Sequence, residues 1–533
     1  MDREKGSKSK GMPGKGKGGA GHGSTGHGGK GRKSTKGKAA GRKGPKAAAP
    51  PGRSPGSGLA SGGKPRATAS PPGERQRRSF SQKTLALEAE GPLGDPLAEA
   101  LMAAGSSGYS LTHAFHPYPG RFHPFLVSKV LAAVAQPGQL VFDPFMGGGT
   151  TLVEAMRIGL PTLGNDLNPV AHLVARERTR TRTADEARIL EAEFGRIAAQ
   201  VEGLAKEKNP PRYEKPDQHR ITPHYQPHLL AELMQWIRII DAMGEESLRE
   251  TLRAVFSSAV VKFSNLASDS RGTTGTPPRY PKGAVSRFLV MKGHQLARTQ
   301  ATLAAHVPPG TPQPQWLQED ARLLPSLAWG VCDMVVTSPP YPGIYDYYEH
   351  HSLRMNWLEM DSSGLFRDEL VPRRDRSGSD EEAPESWSAG FKDVLGTLAR
   401  VLRPQGKLFL VLGDWISGGH AVNAGGLLTR IAREAGWIPV SRAAARRESH
   451  SPAERKAFAR KGKWEHLLHF ERESAEKAAP EKEQAKLAQP VKTGRAPRIR
   501  RERMKVSEPP PIQKEPLPSL PATPRRVVPR RKR

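Results

Sequence analysis

Between residues 139 and 158 the chain passes from a brief apolar run, Gln139 to Phe142, through Asp143 and three successive glycines into Thr151 to Ile158, whose apolar residues have helical spacing. A strand that hands over to a helix through so tight a turn has few ways to fold. The helix must cross back over a sheet, which makes the next strand a parallel neighbour. The rest of the chain repeats the rule. Pro161 to Gly164 reads as a second strand ending at Asn165-Asp166, and Trp316 to Gln318, Asp333 to Val336 and Lys407 to Leu412 read as further strands. Trp387 to Leu402 is long enough for a crossover helix, and Trp464 to Phe470 is a last apolar strand. An α/β fold with a parallel sheet follows.

The alternation is interrupted once. Thr183 opens a capping box with Glu186, and Leu190, Phe194, Ile197 and Val201 then recur at helical spacing. Leu230, Leu233, Ile237 and Ile240 mark another helix, and Leu248, Leu252, Val255 and Ala259 a third. The sequence thus predicts a helical insertion over about residues 180–305, between the second and third strands.

Charge divides the chain differently. Residues 1–80 carry 20 Lys+Arg against 3 Asp+Glu and residues 471–533 carry 18 against 8, so 27 of the net +30 sit in the two tails. Tails of Lys, Gly, Ser, Pro and Ala cannot bury enough apolar surface to offset the entropy of ordering, so both are expected to be disordered. Clusters such as Arg32-Lys33, Arg42-Lys43 and Arg530 to Arg533 suit sequence-independent affinity for nucleic acid, DNA or RNA, through phosphate neutralisation; a solubilising tail is the plainer reading. The expected organisation is a tail to residue 80, a linker over 81–108, a folded domain over 109–470 and a second tail. Cys332 is the only cysteine, which excludes an internal disulfide or a cysteine-based metal cluster. No apolar run reaches membrane-spanning length, and the histidines, His113, His116, His123, His350 and His351, lack accompanying ligands at a metal-binding spacing. The sequence predicts a soluble, cytoplasmic, metal-free protein.

Two segments carry the chemistry. In an open parallel sheet, ligands sit at the carboxyl ends of strands, and Gly147, Gly148 and Gly149 let a ligand approach backbone amides there; a loop needing positive φ would look the same. Asp166, 23 residues after Asp143, stands at about the spacing from which a carboxylate accepts ribose hydroxyls, or it caps the helix that follows. The glycine pattern is neither that of a dinucleotide site nor of a triphosphate loop, so another adenosine ligand is favoured. Thr337-Ser338-Pro339-Pro340-Tyr341 follows a strand beyond the insertion. Its prolines could hold the Ser338 hydroxyl and the Pro339 carbonyl as paired acceptors for an amino group, with Tyr341 as a stacking face; a simple proline turn is the alternative.

Asp-Pro-Phe-Met-Gly-Gly-Gly-Thr-Thr at 143–151 together with Thr-Ser-Pro-Pro-Tyr at 337–341 resembles the amino-group DNA methyltransferases, the adenine-N6 and cytosine-N4 enzymes of the kind found in restriction–modification systems. His116 to Phe122, Arg403 to Lys407 and Gly413 to Trp415 resemble further blocks of that family. The resemblance implies a Rossmann-like class I methyltransferase with a mostly parallel seven-stranded sheet, S-adenosylmethionine as cofactor and DNA as substrate. It implies cofactor contacts from Tyr118, Phe122, Asp143, Pro144, Phe145, the three glycines, Asp166 and Asp320, and catalysis by Ser338, Pro339, Pro340 and Tyr341. Serine at the head of the reaction motif points to cytosine N4; adenine N6, RNA methylation and a catalytically inactive nucleic-acid-binding protein are the alternatives. Ser264 to Arg287, with Arg271, Thr273, Thr274, Arg279, Tyr280 and Lys282, is a candidate DNA-facing loop; a plain solvated loop is the alternative. Family members more often place target recognition after the third strand or after the reaction motif, which the helical insertion does not match.

Overall fold

The computed structural model describes residues 86–104, 111–120, 122–215, 218–266, 279–341, 346–370 and 383–472. The tail segments 1–85 and 473–533, and Arg271, Thr273 and Thr274, lie outside the described residues.

The chain opens with strand β1 (Leu87–Glu90) and helices α1 (Gly94–Ala103) and α2 (Pro124–Val134). The first βα unit follows as β2 (Val141–Asp143) and α3 (Thr150–Met156), then β3 (Thr162–Asn165) and α4 (Pro169–Thr179). The helical region comprises α5 (Ala184–Leu204), α6 (Gln218–Ile221), α7 (Pro227–Asp241), α8 (Glu246–Val260) and α9 (Ala284–His306). The sheet resumes with β4 (Gln315–Leu317) and β5 (Cys332–Thr337), followed by α10 (Tyr347–Leu358), α11 (Ser363–Asp368), α12 (Ala383–Val401) and β6 (Leu402–Gly413). A small hairpin, β7 (Trp415–Ser417) with β8 (His420–Val422), precedes α13 (Ala424–Glu434), β9 (Trp437–Arg447), α14 (Pro452–Ala457) and β10 (Lys463–Arg472).

Eight strands form one sheet in the order β1-β9-β10-β6-β5-β2-β3-β4. The central strands β4, β3, β2, β5 and β6 are parallel, while β10 runs antiparallel to both β6 and β9. Seven of these strands make the mostly parallel, Rossmann-like sheet. The eighth, β1, is an addition that pairs antiparallel with β9. The 81–108 stretch is therefore more than a linker: Leu97 and Leu101 of α1 are fully buried against α2 and the sheet. Every residue of β1 is exposed, and although Leu87-Glu88-Ala89-Glu90 alternates apolar with polar, four residues are too short a run to mark a strand by pattern alone. It is a short edge strand, held by its backbone ladder.

Apolar residues of the sheet face two ways. One face packs against α12 and α13 through Trp387, Leu398 and Leu428, and the other against α1 and α2 through Leu101, Val130 and Leu131. A third core belongs to the helical region, built from Phe194, Trp236, Ile237, Val255 and Leu296 together with Trp357 of α10. The Thr183 capping box is formed: Thr183 N donates to Glu186 Oε2 at 2.7 Å, and Thr183 Oγ1 accepts from Glu186 N at 3.2 Å.

Helices α5 and α9 pack closely where Gly293 of α9 meets Phe194 of α5. A Cβ at residue 293 would lie 2.2 Å from the Phe194 ring, and that ring is itself fully enclosed. Gly→Ala within an exposed helix stabilises by about 1 kcal/mol. Here Gly293→Ala is expected to destabilise by about 1–3 kcal/mol through overpacking, read as a fall in the urea midpoint at unchanged slope. A stabilised variant would contradict this packing.

Candidate cofactor and reaction site

On leaving β2 the chain turns to β3 on one side, while β5 lies on the other, so the carboxyl ends of β2 and β5 flank a topological switch point. Asp143 closes β2 there and is 2% exposed. Its Oδ1 accepts from Thr337 Oγ1 at 2.6 Å and from Phe145 N at 3.1 Å, and its Oδ2 accepts from Thr151 Oγ1 at 2.7 Å. One carboxylate thus joins the end of β2, the first turn of α3 and the end of β5. Asp143 lies beneath the cleft and does not line it. Burial pushes its carboxyl up to about 6, against the pull of those three hydrogen bonds.

The glycines have separate reasons. Gly147, with φ +48°, lies under the Tyr118 ring, and its N–H donates to Asp166 Oδ2 at 2.9 Å. Gly148 is fixed by Arg178: a Cβ would come within 2.3 Å of the guanidinium, which donates to Gly148 O and His116 O at 3.0 Å each. Gly149, with φ +77°, precedes α3, and a Cβ would press on Ala175 at 2.9 Å. Of the three, Gly147 alone lines the cleft.

The cleft is open to solvent and spans about 730 Å³, solvent space included. Tyr118, Pro144, Phe145, Gly147, Asp166 and Asp320 line it, and Ser338 and Pro340 face the same space. Asp166 faces the cleft and accepts from the Gly147 and Asn168 amides, the latter at 2.9 Å; it does not cap the following helix, whose N-cap is Asn168, accepting from Val170 N at 3.0 Å. Burial pushes its carboxyl up to about 7, against those two amide bonds and with Asp143 and Glu369 adding to the rise. Asp320 is bound by Arg322 at 2.7 Å. Carboxylates dominate the lining, with Asp166, Glu319, Asp320, Asp368 and Glu369 against Arg322. Such a cleft favours a ligand with hydroxyls and positive charge and opposes a polyphosphate.

Phe122 goes elsewhere. It packs with the core under α1 and α2, on the far side from the cleft, because the chain turns into α2 at Pro124. Pro339 is buried, and Tyr341 stands beside the cleft, its hydroxyl accepting from Gly413 N at 3.0 Å. Trp387 Nε1 donates to Pro340 O at 3.1 Å, which fixes the proline pair. The histidines go to different places: His113 meets Glu154 Oε1 at 2.8 Å, His116 meets Ser257 Oγ at 2.8 Å, and His351 stacks on Tyr118 with 4.9 Å between rings. Among the described residues no group of three or more His, Cys, Asp or Glu could hold a metal ion, and no helix is long and apolar enough to cross a membrane.

Sequence reasoning missed Arg178, Asn165 and Trp387. Asn165 Nδ2 donates to Glu319 O at 2.9 Å, and its Oδ1 accepts from Glu319 N at 2.9 Å, locking the loop after β4 to the end of β3. Nothing local marks these residues; each acts on a segment distant in sequence.

Comparison with known proteins matches residues 100–177 to a family described as DNA methylase. The chain is 22% identical to the type II methyltransferase M.MjaII of Methanocaldococcus jannaschii over 391 residues, covering 57% of this chain and 72% of that protein. It is 24% identical to the type II methyltransferase M.MvaI of Kocuria varians over 263 residues, 47% of this chain and 58% of that one. Among solved structures it is similar to a TehB-like SAM-dependent methyltransferase from Corynebacterium glutamicum, at 10% identity over 65% of this chain and 87% of that one. The TM-score there is 0.25, so the fold rests on the strand order described above.

Because the folded state holds protons on Asp143 that the unfolded chain releases, the stability this group contributes is full below about pH 4. It is lost as the pH rises through about 6. In urea unfolding, the stability gap between wild type and Asp143→Asn should narrow by about 3 kcal/mol between pH 4 and pH 7, two pKa units being worth that much. A gap that widens would overturn the burial argument.

Proposed function

From the match of residues 100–177 to a DNA-methylase family, the likeness to type II methyltransferases and the resemblance of segments 143–151 and 337–341 to amino-group DNA methyltransferases, we propose that it is a site-specific DNA methyltransferase. Its cofactor is S-adenosylmethionine and its target an exocyclic amino group, cytosine N4. The observation that carries the reading is that Gly147 and Asp166 of the one motif and Ser338 of the other line a single acidic cleft.

S-adenosylmethionine supplies an electrophilic methyl group on a sulfonium, and a cleft rich in carboxylates suits that charge. Asp166, already aligned by two amides, accepts from ribose hydroxyls, and Tyr118 and Phe145 form apolar walls. Asp143 and the bonds around Gly148 and Gly149 act from beneath by fixing the turn. An exocyclic amine is a poor nucleophile because its lone pair is delocalised into the ring. The Ser338 hydroxyl and the Pro339 carbonyl would accept its two hydrogens, which would favour the pyramidal form and free the lone pair for a methyl donor held in the cleft. The target base must leave the duplex to reach them, at a cost of a few kcal/mol. Tyr341 stands beside Ser338 with its ring orientation set by the Gly413 amide and offers the stacking face. Serine at the head of the motif supports cytosine over adenine.

The test is incubation with labelled S-adenosylmethionine and unmethylated DNA, followed by nucleoside analysis. N4-methylcytosine is expected; N6-methyladenine would move the target base, and label in RNA or protein alone would sink the proposal. Ser338→Ala should lower the turnover rate about 100-fold with cofactor affinity nearly unchanged. Tyr341→Phe keeps the ring and loses one hydrogen bond worth about 1 kcal/mol, so it should retain far more activity than Tyr341→Ala.

A further inference from the structure

The segment joining β9 to β10, residues 446–463, holds seven Lys and Arg against Glu448 and Glu454. Three of the seven are engaged: Arg447 with Glu465, Lys463 with Glu454, and Arg455 with the His450 carbonyl. Arg446, Lys456, Arg460 and Lys461 are exposed, and none of them is ion-paired among the described residues. Some exposed cations elsewhere are held by carboxylates. On the helical region Arg188, Arg196 and Arg298 are each held by a carboxylate, Asp185, Glu193 and Glu191. Leaving like charges side by side is unfavourable unless something anionic is to meet them.

Their place in the fold suggests what. Because β10 runs antiparallel to β6, its first residues stand at the carboxyl ends of the parallel strands, where the reaction motif lies. Backbone contacts join the two directly. Tyr341 Oη accepts from Gly413 N at 3.0 Å, the next residue's N–H, that of Asp414, donates to Trp464 O at 2.7 Å, and Trp464 N donates to Asp414 Oδ2 at 2.9 Å. Lys461 is three residues before Trp464 and lines an open crevice between α13 and the strands β9 and β10, where Arg430, Arg433 and Arg442 stand with the carboxylates Glu88, Asp414 and Glu434. The segment is pinned in shape. Ser451 and Glu454 form a capping box at the start of α14, Phe458 is buried, and α14 packs against the β7–β8 hairpin.

We propose that this excursion, with the crevice beside it, carries the phosphate backbone of the DNA strand whose base is presented at Ser338 and Tyr341. The inference rests on the DNA-methyltransferase reading and adds to it a named surface. Carboxylates stay in the cofactor cleft and unpaired cations line the rim next to the reaction motif, so a cationic cofactor and an anionic strand are drawn to adjacent places. Phosphate contacts of this kind fix the position of a strand without reading its sequence.

The test uses the full chain with Lys456→Ala, Arg460→Ala and Lys461→Ala combined, all exposed positions outside the cleft. A matched triple, Arg188→Ala, Arg196→Ala and Arg298→Ala, removes the same charge from the helical region. KM for DNA, kcat and cofactor affinity are measured across a salt series. Loss of three phosphate contacts should make the dependence of log KM on log salt shallower by about 2–3. It should raise KM for DNA at least tenfold at moderate salt, with kcat at saturating DNA and cofactor affinity unchanged. The matched triple should behave as wild type. A wild-type salt slope and KM in the first triple, or equal losses in both triples, would overturn the assignment while leaving the activity intact. Failure of the wild-type protein to methylate any DNA would instead remove the reading on which the assignment stands.

Discussion

The three hydrogen bonds that Asp143 accepts from Thr337, Thr151 and Phe145 hold the functional half of this molecule together. The one from Thr337 joins residues 194 positions apart, and it does so at the place where the strand order reverses. With the end of β5 tied to the end of β2, Ser338 must emerge beside Pro144 and Gly147, and the two motifs share a cleft. The arrangement carries an energetic burden, since an enclosed carboxylate resists ionisation, as its raised titration shows. Its neighbours offset this with two hydroxyls and an amide, and the Thr151 hydroxyl also reaches Val336 O at 3.2 Å.

A second buried charge plays a comparable part. Arg178 of α4 is fully enclosed and gives its N–H groups to the carbonyls of Gly148 and His116. It therefore holds the glycine turn against the segment that brings Tyr118 over the cleft. Tyr118 in turn stacks on His351 of α10 and accepts from Asn168, so the wall of the cofactor cleft is shared with a helix that packs into the helical region. Ser257 of α8 completes the link, meeting His116 through its hydroxyl and Arg354 through its carbonyl. The inserted helices are thus braced against the site at several points and do not hang from it by their ends alone.

Legibility followed the range of the interaction. The capping box at Thr183, the apolar stripes of α5, α7 and α8 and the strand–turn–helix at β2 are local patterns, and each could be read from spacing. Strand β9 could not: Ser441 to Arg447 holds no apolar residue larger than alanine and shows no period-two alternation, yet it lies between β1 and β10 with Ala443 and Ala445 fully buried. Its strand character comes from two neighbours far away in sequence. Phe122 misled for the opposite reason, since its place in a recognisable segment said nothing of the direction in which the chain leaves that segment.

By itself the sequence determined that the chain builds a parallel α/β sheet, that a glycine turn follows its first parallel strand, and that a rigid Ser-Pro-Pro-Tyr segment ends another. Those are properties of short stretches, set by backbone freedom and side-chain periodicity. Only the tertiary structure decided what each motif residue faces. It turned Asp143, Gly148 and Gly149 into supports, left Gly147, Asp166 and Ser338 to line the cleft, and brought the β9–β10 connection to the same end of the sheet as Tyr341. The physical reason is that a side chain's role depends on its partners. At this site the partners come from segments tens to hundreds of residues away, placed together by strand order and not by spacing along the chain.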